Sequence, residues 1–125
     1  MIKKALLLIF GVLLLSACKK VPELENVDTT LWKKDAGGCT EVRLDLVPLI
    51  LQQKEKLKGL SENQIKAILG KPDQHELYER SQKFFIYHLE KGNECAEYSG
   101  NYFKSFYIRF NSLDQAVAFT IQEIK

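Results

Sequence analysis

The apolar pattern of this chain predicts an α+β fold: a two-helix hairpin packed on an antiparallel sheet of three strands, or four if one further segment joins. Three observations carry that prediction. Val42, Leu46, Leu49, Ile50 and Leu57 recur near helical spacing. The stretch GLSENQIKAILGKPD, Gly59 to Asp73, concentrates the start and stop signals of a second, shorter helix. Beyond it, QKFFIYHL, YFKSFYIRF and AVAFTIQEI alternate with a period of two and are separated by polar turns.

The chain has 125 residues, of which 46% are hydrophobic and 27% charged, so one domain with one small core is expected. Its net charge of +2 counts Lys3 and Lys4; with these set aside, 16 basic residues balance 16 acidic ones. A nucleic-acid partner is not expected, because it would call for a basic face.

The first helix has Thr40 as its candidate N-cap and reaches to Gly59, but Pro48 interrupts it. A proline inside a helix removes one hydrogen bond and crowds the preceding turn, so the helix is kinked or its regular part starts near Asp45; the later start is favoured. In the second helix Ser61 caps, Gln64 completes a capping box, and Leu60 and Ile65 stand at the positions of a hydrophobic staple. Ile65, Ile68 and Leu69 form its apolar face, Gly70 supplies a left-handed C-terminal residue, and Pro72 prevents continuation. In the first strand Phe84, Ile86 and His88 alternate with Phe85, Tyr87 and Leu89, and both sets are largely apolar. In the next, Phe106, Ile108 and Phe110 oppose Ser105, Tyr107 and Arg109. After the turn NSLDQ, Val117, Phe119 and Ile121 are expected to face inward. The segment HELYER extends this meander or adds a short edge strand.

The N-terminal segment has two lysines, an unbroken apolar run from Ala5 to Leu15, and then small residues ending at Cys18, which is the layout of a secretory signal. The run is too short to span a bilayer, which takes about 20 residues. Leu15-Ser16-Ala17-Cys18 resembles the lipobox of bacterial lipoproteins, which implies lipid on the Cys18 sulfur and cleavage before it. The expected organisation is a signal peptide over 1–17, a lipidated tether over 18–31 and a single domain over 32–125. Lys19 and Lys20 follow the cysteine without the aspartate that retains many lipoproteins on the inner membrane, which by the family rule favours the outer membrane.

With Cys18 lipidated, Cys39 and Cys95 remain, and in an exported chain they are expected to form a disulfide. Trp32, the only tryptophan, is read first as a hydrophobic plug and second as a partner-binding anchor. Candidates for catalysis are few. His75 falls in a loop and His88 on a strand, neither beside a nucleophile motif, and no ligand spacing calls for a metal or cofactor. Gly37-Gly38 lacks the strand-loop-helix setting of a phosphate cradle, and QQKEKLK reads as a solvated helix face. No enzyme is expected.

Gly59 through Pro72 matches the pattern G-[LM]-[ST]-x-x-[QE]-[IV]-x-x-[LI]-L-G-x-P, followed by Phe85-Ile86-Tyr87 in an aromatic strand. This resembles the SmpA/OmlA/BamE family of small bacterial outer-membrane lipoproteins over about half of the chain. The resemblance implies an αα-hairpin on a three-stranded sheet, an architecture also found in proteinaceous β-lactamase inhibitors. It further implies a lipid-anchored envelope protein facing the periplasm, held to the membrane through Cys18 and acting as a non-catalytic interaction module, accessory to outer-membrane assembly or integrity. Two alternatives are an inhibitor-like binder of an envelope hydrolase and a carrier of a small apolar ligand. A binder is expected to expose aromatic residues, with Tyr78, Tyr98, Tyr102 and Tyr107 as candidates. The sequence implies no oligomeric state.

Overall fold

The computed structural model describes residues 21–98, 100 and 102–124. The signal segment, Cys18, Lys19 and Lys20 lie outside the described residues. The domain is α+β, with helices on one face of a four-stranded antiparallel sheet in the order β1-β2-β3-β4. The elements in chain order are α1 (Thr29–Lys34), a 3-10 turn (Ala36–Gly38), α2 (Val42–Gln52), α3 (Lys54–Leu57), α4 (Glu62–Leu69), β1 (Gln74–Tyr78), β2 (Gln82–His88), β3 (Phe103–Phe110) and β4 (Ala116–Ile124).

The domain begins earlier than expected. The segment read as a tether up to residue 31 is docked well before that, because Leu24 and Val27 pack against the core. The Glu25 main chain is also held at both ends by Gln53, with N–H to Oε1 at 2.6 Å and Nε2 to the carbonyl at 2.7 Å. The Asp28 carboxylate then accepts the Thr30 and Leu31 amides, capping α1. This short helix contacts both α2 and α4. It delivers Trp32, fully buried, to a site edge-on to Phe106 and 5.8 Å from the Tyr87 ring.

α2 starts at Val42, not near Asp45, and Pro48 sits inside it. Neither Thr40 nor Asp45 caps it. Asp35 holds its start from the preceding turn: Oδ1 accepts the Thr40 amide and hydroxyl, and Oδ2 accepts the Arg43 amide at 3.1 Å. Pro48 is tolerated because it lies on the exposed side, while Arg43, Val47 and Ile50 form the buried one.

α4 follows its sequence signals. Ser61 and Gln64 form the capping box and Ile65, Ile68 and Leu69 are buried. Leu60 packs on the core beside them. Gly70 has φ 79° and ψ −177°, so it ends the helix in the extended region open to glycine alone and not in the left-handed helical well. A Cβ there would also come within 2.9 Å of Lys33 Cγ.

HELYER becomes β1, a fourth strand at one edge. On the helix side of the sheet, Phe85, Tyr87, Phe106, Ile108, Phe110, Ala116 and Phe119 close over Trp32, Val47, Ile50, Leu57, Ile65 and Leu69. Val117 departs from its expected inward position. A bulge shifts the β3–β4 register between Arg109 and Phe110, so Phe110 pairs with Ala116 and Arg109 with Ala118. Ala116 takes the inward site and Val117 is left exposed. Ile121 stays on the helix side opposite Phe106, but lies beyond the cover of the helices and is also exposed.

Candidate interaction surface

Two features define the remaining surface: a buried polar hub that anchors the loops at one end of the sheet, and an aromatic ladder on the side of the sheet away from the helices. The hub centres on Arg43, whose place among apolar helix positions makes its burial costly unless its charge is paired. Its Nη1 meets Asp73 Oδ2 at 2.7 Å and the His88 carbonyl at 3.3 Å, and its Nε donates to the Trp32 carbonyl at 2.9 Å. The guanidinium lies 5.2 Å from the Trp32 ring centre and 5.6 Å from that of Tyr87. Asp73 also accepts the Gly37 and His88 amides at 2.8 and 2.7 Å. One carboxylate thus joins α2, the 3-10 turn and β2.

Gly37-Gly38 is a packing turn. Both residues have positive φ, and a Cβ on Gly38 would fall 2.7 Å from the His88 carbonyl oxygen. Cys39 next to it forms a disulfide with Cys95 across 56 residues, which ties this turn to the loop between β2 and β3. The disulfide expected from the cysteine count is therefore present. Closing a loop of that length stabilises by about 4 kcal/mol on the chain-entropy account.

The two histidines have different settings. His75 is exposed on β1, edge-on to Phe85. His88 is fully buried opposite Ser105, with its ring 4.9 Å from that of Phe103. Among the described residues neither His88 ring nitrogen nor Ser105 Oγ has a hydrogen-bond partner. Burial pushes the His88 pKa down, against the opposing pull of Asp73 and Glu94. The ring is therefore held neutral and shut away from solutes. The Tyr87 hydroxyl, pushed strongly up by burial, donates to the Gly70 carbonyl at 2.8 Å. Among the described residues no group of three or more His, Cys, Asp or Glu side chains is arranged to hold a metal ion. No helix among them is long and apolar enough to cross a membrane.

The ladder runs diagonally across the strands from Tyr78 to Phe84, with ring centres 5.5 Å apart, and on to Tyr107 at 5.8 Å, all edge-to-face. Tyr107 is largely buried, and that burial, with Glu76 nearby, raises its pKa. Tyr98 is half-buried against Phe103. Of the five aromatic residues proposed from sequence, only Tyr78 (50% exposed) and Tyr102 (64%) are well exposed. Trp32 is fully buried in the core, which fits its first reading as a hydrophobic plug and corrects the second as a contact anchor; Tyr107 is corrected as a contact residue, because neighbouring strand side chains cover it. Leu77 on β1 and Leu113 in the β3–β4 turn are exposed apolar residues outside the sequence candidates, and Val117 and Ile121 on β4, expected inward, are exposed as well. Arg43 was also missed. A single arginine in register with Val47 and Ile50 was its only sequence signal.

Comparison with protein-family models, curated proteins and solved structures returns no match.

Proposed function

We propose that this chain is a lipid-anchored protein of the bacterial cell envelope whose domain works by contact and not by catalysis, as an accessory to outer-membrane assembly or integrity. The anchor is Cys18, and the domain faces the periplasm. The disulfide between Cys39 and Cys95 supports export to an oxidising compartment. One observation carries the contact reading. The buried ionic groups of the body, Arg43, Asp73 and Asp35, are consumed in binding its own main chain, while Tyr78, Leu77, Val117 and Ile121 remain on the surface. The layer between helices and sheet is filled by Trp32, Phe85, Phe106 and Leu69, which leaves the ligand-carrier alternative without support there.

The inhibitor-like alternative draws on Leu77 and Tyr78, adjacent and exposed at the end of an edge strand. Two measurements test the leading reading. Mass spectrometry of the mature chain should find Cys18 at its N-terminus carrying acyl groups; an unmodified thiol would remove the anchor. A photoreactive residue in place of Tyr78 should capture one defined envelope protein, and capture of a periplasmic hydrolase that loses activity would favour the inhibitor instead.

A further inference from the structure

The two edges of the sheet are built differently. β1 has five residues, carries His75 and Glu76, and runs into a turn where Arg80 and Ser81 both have positive φ. Short edges that turn away in this manner resist the addition of another strand. β4 has nine residues, AVAFTIQEI, with no proline, no lysine and Glu123 as its single charge. Its first residue is already occupied, since the Ala116 amide and carbonyl bond to Leu60 and Gly59 at 2.8 Å each. From Val117 to Ile124 the outer edge has no strand beside it among the described residues. Val117 is 36% and Ile121 41% exposed there. An open, largely apolar edge of this length is a template for strand pairing.

From this edge we infer that a second copy of this chain pairs with it, β4 to β4 and antiparallel about a two-fold axis at Thr120. The β4 edge is complementary to itself. A two-fold axis normal to the sheet keeps the two helix layers on one side, so only registers that pair residues of like face are open. Centred on Thr120, the contact sets Phe119 against Ile121 of the second copy and Ile121 against its Phe119, two aromatic to β-branched pairs of the favourable kind. Thr120 meets its own counterpart on the opposite face, and Glu123 stands across from Val117. Centring on Ile121 would put Glu123 against Phe119. Centring on Phe119 would run the pairing into Ala116, whose main chain is taken. The Thr120 register pairs Val117–Glu123, all but the last residue of the open stretch, and sets no charge against an aromatic ring. Pairing would extend the sheet to eight strands and cover Ile121.

Cysteine scanning in the full chain, expressed in cells and resolved without reductant, tests this independently of the anchor. Thr120→Cys should give a disulfide-linked species of twice the chain mass, absent from the unsubstituted protein. Val117→Cys alone should give none, whereas Val117→Cys coexpressed with Glu123→Cys should give the mixed dimer. Adding Ile121→Lys, a change at an exposed position, should abolish the Thr120→Cys product while the Cys39–Cys95 disulfide stays intact. No doubled species from Thr120→Cys overturns the proposal. So does crosslinking of Val117→Cys to itself, a product of another mass containing a different protein, or a Thr120→Cys product indifferent to Ile121→Lys.

Discussion

The two principal helices begin by opposite means. α4 is started by its own residues: Ser61 Oγ accepts the Gln64 amide at 3.2 Å, and Gln64 Oε1 accepts the Ser61 amide at 2.9 Å. α2 has no side-chain cap of its own, and Glu41 before it sits at φ 60°. Its first turn is held instead by Asp35, eight residues earlier, and by Arg43, which reaches Asp73 thirty residues later. Breaking a local cap should therefore disturb one turn, whereas breaking the hub should loosen every element it joins.

The largest expected effect follows from the hub. Arg43→Ala leaves Asp73 buried with an unpaired charge, and removing one member of a buried pair costs about 3–5 kcal/mol. Asp73→Ala should cost at least as much, because it also orphans the Gly37 and His88 amides in addition to Arg43. Urea unfolding monitored by Trp32 fluorescence checks both. Equal midpoints for the unsubstituted chain and Arg43→Ala would show that α2 does not depend on the link.

A smaller effect comes from His88, which lies at the same end of the sheet. Its folded pKa is lowered by burial, so below the unfolded value of about 6.5 the unfolded chain takes up a proton that the folded chain refuses. Stability is therefore fully present above that pH and is lost as pH falls, by up to about 1.4 kcal/mol per pH unit until the folded pKa is reached. His88→Phe should flatten this slope between about pH 5 and 6.5, above the range in which carboxylates titrate. Since neither ring nitrogen has a partner among the described residues, the substitution sacrifices no hydrogen bond with them at neutral pH. Denaturation midpoints across that window would decide it, and an unchanged slope would show that another group is responsible.

What could be read in the sequence follows the same division between local and distant causes. The capping box, the apolar face of α4, the strand alternation and the cysteine pair are all visible over a few residues or by counting, and the structure contains them. α1 escaped notice because six residues give no clear period, although Asp28-Thr29-Thr30 carries its cap. The start of α2 escaped because its cap is Asp35, and Val117 because a bulge displaces it. For the aromatic candidates, residue type could not separate Tyr78 from Tyr107. Exposure depends on which neighbours lie across the strands, and Phe84 and Ile86 cover the second residue more than the first.

The smallest expected effect sharpens the comparison most, because it should stay where it is made. Ser61→Ala removes the acceptor for the Gln64 amide and should cost about 1 kcal/mol. The loss is limited because Leu60, Ile65 and Leu69 still dock α4 on the core, and Gly59 and Leu60 still bond to Ala116 at the start of β4. Amide exchange should quicken at Gln64 and Ile65 and stay unchanged at Arg43 and Val47, which belong to the other helix and its separate hub. If protection falls equally in α2 and α4, the two helices open as one unit, and a cap encoded in four residues stabilises the whole helical layer.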